Sequence, residues 1–348
     1  MKLRQRIFGR RLTPKKSSSG GFTLVELIIT ITVMAVMILT VAPLFDVTSR
    51  GYTALEVNTV LSAGMQEALT HIQSRLSENK RLFGRDATGL AFLGCVTPNV
   101  SPAPLTGSLL PVIASTGSLT PSGSAFASTN TGNSLLFASV DNTVDISTTN
   151  GGASTSIQRM DTYVFNYYYL APNTTLTIRT YQARDLWEWH SVAYPDYQNL
   201  INITDTTLQR NVVKALLAKG FGYAFDPSVG AVNSAFYQLT SAGALNAASP
   251  HNIIMAKSQK MINLIRGISL GSFVYSVSPN TGGSLTHKYI VPIYATANGN
   301  FPSGLEIEVV GPSSNRRVFG RLVMAAQGNF KGILAYEQVM LVSARDLY

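Results

Sequence analysis

The run Phe22 to Ala42, FTLVELIITITVMAVMILTVA, constrains the chain more than any other stretch: 21 residues that are almost all apolar, with one carboxylate, Glu26. As a helix rising ~1.5 Å per residue it spans about 30 Å, the thickness of a hydrocarbon layer. An acid placed there costs about 2.5–3.5 kcal/mol. A chain that keeps Glu26 in lipid must therefore bring it a partner.

What precedes the run sets its orientation. Seven of the 27 basic residues (Lys2, Arg4, Arg6, Arg10, Arg11, Lys15 and Lys16) lie before Phe22, and none of the 18 acids do. Without them the rest holds 20 bases against 18 acids, so the net charge of +9 belongs mostly to the leader. Such a leader stays on the cytoplasmic face of a membrane. The apolar run is too long for a secretory signal core, and Pro43, Leu44 and Phe45 follow it instead of a small-x-small cleavage site. The small residues, Gly20 and Gly21, come before it. Cleavage there would remove the basic leader and leave the apolar segment as the new N-terminus.

The residues GFTLVE, Gly21 to Glu26, resemble the processing signature of type IV prepilins and pseudopilins. The resemblance covers about Ser17 to Asp46. It implies cleavage after Gly21 by a prepilin peptidase, N-methylation of Phe22, and a register-setting role for Glu26. Pro43 takes the place of the helix-kinking proline many pilins carry; the bare residue also reads as the end of the span, and the two readings are compatible. Physically, cleavage creates an amine at Phe22 that is itself costly in lipid. With neighbouring helices offset along their axes, Glu26 of one subunit meets the Phe22 amine of the next, and two isolated charges become one pair. Other pilin subunits and an inner-membrane assembly platform are the partners implied.

Beyond Pro43, Leu55, Leu61, Met65, Leu69, Ile72 and Leu76 recur mostly at three- and four-residue steps. This predicts one helix from Phe22 to about Phe83, with Lys80 and Arg81 in its last turn and Gly84 as its stop. The expected organisation is a cleaved leader (1–21), a long helix (22–83, with 22–42 transmembrane) and an α+β head (84–348) with a mainly antiparallel sheet. His71 reads as a polar-face residue of the helix.

Within the head, Ala87 to Val140 holds no charged residue and is rich in Ser, Thr, Gly, Asn and Pro. That composition predicts loop. Strands are expected at Thr162–Ala171 and Thr175–Ala183, and then in four C-terminal runs: His287–Ala297, Leu305–Gly311, Arg316–Ala326 and Gly332–Ala344. In the second of the four, Leu305, Ile307 and Val309 share one face, with Glu306 and Glu308 on the other. Two helices are expected between these groups. Asp205 caps the first, which Gly220 stops; Ser249-Pro250 opens the second, His251–Arg266.

The sequence offers no support for catalysis. His71, His190, His251 and His287 are scattered without metal-ligand spacing, so no metal and no cofactor are expected. Cys95 is the only cysteine, which rules out an intrachain disulfide. Trp187 and Trp189 in RDLWEWH share a strand face, either as a surface for a sugar or partner or as core. The bases Lys257, Lys260, Arg266 and Lys288 lie in an acid-free stretch, but so thinly that they read as a solvated face rather than a phosphate track.

The pilin resemblance therefore implies a structural subunit held in the inner membrane by a single pass, its head periplasmic, and then assembled into a filament. A head larger than that of typical major pilins, without their C-terminal cysteine pair, favours a minor pilin or a large J-type minor pseudopilin of type II secretion. A filament-tip adhesin and a DNA-binding competence pilin remain the alternatives.

Overall fold

The computed structural model describes residues 23–119, 130–150, 154–172, 184–248, 252–263, 265–266, 305–327 and 333–346. The chain divides into two units, Met1–Tyr52 and Thr53–Tyr348. In the first, helix α1 (Leu24–Ser77) begins and continues through Pro43 without interruption. Every described residue from Thr23 to Tyr52 is exposed, including the large apolar side chains Leu24, Ile28, Met34, Leu39 and Phe45. The threonines of this apolar stretch do not carry idle hydroxyls. Thr30 donates to the Glu26 carbonyl (2.7 Å), Thr32 to that of Ile28 (2.8 Å) and Thr40 to that of Val36 (3.1 Å). Such back-bonding satisfies a polar group where water is absent.

In the second unit, the head, the same helix becomes a core element. Leu61, Met65, Ala68, Leu69, Ile72 and Leu76 are buried, each large one contributing roughly 1.5–3 kcal/mol. The helix ends at Ser77 rather than near Phe83, and Asn79–Phe83 forms strand β1. Sheet pairing outweighs helical continuation here. β1 lies antiparallel to a later strand, with Leu82 opposite Phe137, and Arg81 is buried instead of facing solvent in a last turn. The Arg81 guanidinium sits 5.1 Å from the Phe83 ring centre and 5.0 Å from that of Phe92. It also donates to the carbonyls of Pro227 (2.8 Å) and Val229.

The uncharged region expected to be loop begins instead with helix α2 (Ala87–Val96). Asp86 caps it by accepting from the Gly89 N–H at 2.6 Å, and Gly89, Phe92 and Val96 form its buried face. Gly89 is required: a Cβ there would lie 2.0 Å from the Gly84 carbonyl oxygen. Apart from the short strand β2 (Ile113–Ala114) and a 3₁₀ turn, the described residues that follow, up to Ser134, are irregular, as the composition predicts.

A long hairpin follows, β3 (Leu135–Asn150) with β4 (Ser154–Pro172), then β5 (Arg184–Ser191) and β6 (Tyr194–Pro195). Helices α3 (Tyr197–Ile201) and α4 (Thr206–Ala218) come next. Asp205 caps α4 as expected, accepting from Thr207 and Leu208, and Gly220 at φ +95° ends the turn beyond it. Strands β7 (Tyr223–Phe225), β8 (Phe236–Leu239) and β9 (Leu245–Ala247) form a small antiparallel sheet. Strand β10 (Met255–Asn263) replaces the helix expected over His251–Arg266, and β11 (Ile265–Arg266) follows. The paired apolar residues Ile253-Ile254 and Met261-Ile262 imitate helical spacing, but antiparallel pairing with β5 decides the conformation. The C-terminal strands β12 (Leu305–Val310), β13 (Arg316–Gln327) and β14 (Ile333–Ala344) fall where the sequence places them. The expected strands Thr175–Ala183 and His287–Ala297 lie outside the described residues.

The larger sheet runs β1-β3-β4-β5-β10, all antiparallel, with β6 alongside β4. The second is mixed: β12, β13 and β14 are antiparallel neighbours, while β2 and β11 join in parallel. The buried residues of α1 form one core with Leu135, Phe137, Tyr168 and Leu170 of the first sheet and Leu305, Ile307, Val309 and Leu322 of the second. On the opposite face of the first sheet, Phe165, Tyr167, Tyr169 and Trp189 join Phe83, Phe92, Phe225 and Phe236 in an aromatic core. Glu306 and Glu308 take the other face of β12 as expected, yet that face is also buried, and Arg321 meets Glu306 at 3.0 Å.

The helix's two environments yield a direct comparison. Ile72→Ala, at a fully buried site, should cost about 2–5 kcal/mol. Leu55→Ala, at a 65 % exposed site, should stay within about 0.5 kcal/mol. Denaturant unfolding of the detergent-solubilised chain, followed by tryptophan fluorescence, measures both.

Candidate functional site

Two places in the chain concentrate chemistry, one in each unit. At the start of α1, Thr23 and Glu26 form a reciprocal cap. The Glu26 carboxylate accepts from the Thr23 backbone N–H (2.9 Å) and hydroxyl (3.0 Å), and the Thr23 hydroxyl oxygen accepts from the Glu26 N–H (3.3 Å). This is the capping box of a helix N-terminus, with Thr at the cap and Glu three residues on. The carboxylate is also well placed against the positive end of the helix dipole. Gly21 and Phe22 lie outside the described residues.

The second place is on the sheet beneath α1. In β4 and β5 the register sets Asn166 opposite His190 and Tyr168 opposite Glu188, and β10 brings Gln259 opposite Glu188. Strand alternation then divides RDLWEWH between two faces. Trp187 and Trp189 point into the aromatic core, while Glu188 and His190 point toward α1. Trp189 is fully buried and its indole N–H donates to the Asn99 carbonyl at 3.2 Å, so it is a core residue and offers no ligand face. Trp187 is half-buried against the same core.

On the α1-facing side, Glu188 is fully buried and surrounded by donors. Its Oε1 lies 2.5 Å from His71 Nε2, 2.9 Å from His190 Nε2 and 2.6 Å from the Tyr168 hydroxyl, which donates to it. Gln259 donates to its Oε2. Burial pushes the Glu188 carboxyl up, but the His190, Tyr168 and Gln259 contacts outweigh it and hold the group well below the usual carboxylate range. Tyr168 moves the other way: burial, and then the adjacent carboxylate, push its hydroxyl up. Behind this shell, His190 Nδ1 meets Asn166 Oδ1 at 2.7 Å, and Asn166 Nδ2 donates to Ser139 Oγ (2.8 Å) and to the Val164 carbonyl (3.4 Å).

His71 is therefore not a polar-face residue of a free helix; it bridges α1 to the sheet. Sequence reading missed the cluster because His71 and Glu188 are 117 residues apart. Its one local trace is the Glu-x-His spacing of Glu188 and His190, which a strand places on one face. Tyr168→Phe removes one donor from a buried carboxylate and should cost about 1–3 kcal/mol in denaturant unfolding of the whole chain.

Residues 16–42 match the family model of the prokaryotic N-terminal methylation motif. No curated protein and no solved structure matches the chain. The motif, confined to those residues, indicates a type IV pilin-like or pseudopilin-like protein. Helix α1, long and apolar enough to cross a membrane, is in keeping with membrane anchoring.

Proposed function

We propose that the chain is a minor pilin or minor pseudopilin, cut after Gly21, N-methylated at Phe22 and assembled through α1 into a type IV pilus or a type II secretion pseudopilus. The observation that carries this reading is the course of α1. The methylation motif runs directly into a helix whose apolar residues are all exposed up to Tyr52, and one face of which, from Leu61 to Leu76, is buried in the head. An apolar surface of that extent belongs in lipid or against other helices. The basic leader stays cytoplasmic and the head lies across the membrane. A role in filament initiation or at the tip fits a head larger than that of typical major pilins.

In the assembled state the Glu26 carboxylate turns from its own Thr23 to the Phe22 amine of a neighbouring subunit. A buried pair of this kind sets register more than it adds stability. Pro43 then loosens the helix where its missing N–H breaks the ladder, allowing adjacent subunits to pack.

Mass spectrometry of the protein from its native membrane should find a chain that starts at N-methyl-Phe22. A retained leader in cells with an active prepilin peptidase would overturn the reading. Glu26→Gln separates the two roles of that side chain, because glutamine keeps the capping box but loses the charge. It should match Glu26→Ala: membrane-bound, yet lost from sheared filaments. Normal incorporation of the Gln variant would mean that only the cap matters.

A further inference from the structure

The buried group beneath α1 holds a hydrogen-bond conflict for a neutral His190 that a bound cation would resolve. Asn166 is fixed in orientation because its Nδ2 donates to the Val164 carbonyl, so its Oδ1 must accept from His190 Nδ1. The other His190 nitrogen faces Glu188 Oε1, which also only accepts. A neutral imidazole has one N–H and cannot serve both. Oε1 is overcommitted as well: it has about two lone-pair directions, and three groups converge on it within 2.5–2.9 Å.

We propose that His71, Glu188 and His190 form a binding site for a divalent transition-metal ion of the zinc class. One ion resolves both conflicts. It takes the Nε2 lone pair of each histidine and one direction of Oε1, leaving the other to the Tyr168 hydroxyl. His190 is then neutral, with its Nδ1–H donated to Asn166. The donor atoms of the three residues all lie within 4.8 Å of one another. Coordination at about 2.0–2.2 Å sets donors roughly 3.3 Å apart, so His71 must draw back by under about 1 Å. It is free to do so, as its side chain is 36 % exposed, and that open edge is also the ion's entry path and the place for a fourth, water ligand. His190 and Glu188 are 13 % and 0 % exposed.

The surrounding residues match the outer shell of a metal centre. Asn166 orients the His190 ring through Nδ1, while Tyr168 and Gln259 hold the carboxylate. Two imidazoles and one carboxylate favour zinc over calcium or magnesium, which prefer all-oxygen sites. Because His71 is on α1 and the other two ligands are on β5, the ion would pin the assembly helix to the head sheet.

The test is isothermal titration of zinc into the full-length chain in detergent micelles, after stripping with a chelator. One equivalent should bind at micromolar affinity or tighter, raising the thermal midpoint, and cobalt should give the visible absorption of a tetrahedral site. His71→Ala alters a partly exposed residue and should keep the far-UV circular dichroism while weakening zinc at least tenfold. His190→Ala should do the same. Absence of stoichiometric zinc binding, or equal affinity in the folded His71→Ala variant, would overturn the site. Nitrogen NMR showing that His190 keeps both ring N–H groups after zinc is added would overturn it too, leaving an imidazolium–carboxylate pair.

Discussion

A single continuous helix must keep its apolar surface from water in two different ways, and the rest of the structure depends on how it does so. From Leu61 to Leu76 the chain supplies the cover itself, with two sheets closing over Met65, Ile72 and Leu76. From Leu24 to Tyr52 it supplies none. The residues of α1 therefore meet two environments, exposed in the first unit and buried in the second. Threonine back-bonding and the Thr23–Glu26 cap satisfy polar groups of the exposed portion from within it, which an apolar environment demands.

In the head, strand alternation performs most of the sorting. Along FNYYYLA in β4, the odd positions Phe165, Tyr167 and Tyr169 enter the aromatic core. The even positions Asn166, Tyr168 and Leu170 face α1. The same parity in β5 buries Trp189 on one side and Glu188 on the other. A polar island therefore lies inside an apolar contact between helix and sheet. Islands of this kind are costly unless every member is satisfied, and satisfying this one calls for either a second proton on His190 or an ion.

Several elements were legible because their signals are local. Asp205 and Gly220 bracket α4, and the alternation of β12 and the β-rich runs of β13 and β14 are written in neighbouring residues. The elements that were misread are those where a distant partner overrides local preference. Asn79–Phe83 continues a helical pattern yet pairs with β3, and Met255–Asn263 has helix-like spacing yet pairs with β5. α2 is the converse case, an uncharged stretch that becomes helical because Asp86 caps it and Phe92 has an aromatic core to enter.

The sequence by itself determined the leader, the methylation motif, the membrane-length helix and the α+β class, because charge, hydropathy and capping act between residues close in the chain. Only the tertiary structure decided where α1 stops, which tryptophan is core, and that His71 meets Glu188 and His190. Those outcomes depend on strand register and on the packing of a helix against a sheet, and no spacing within a single segment encodes them.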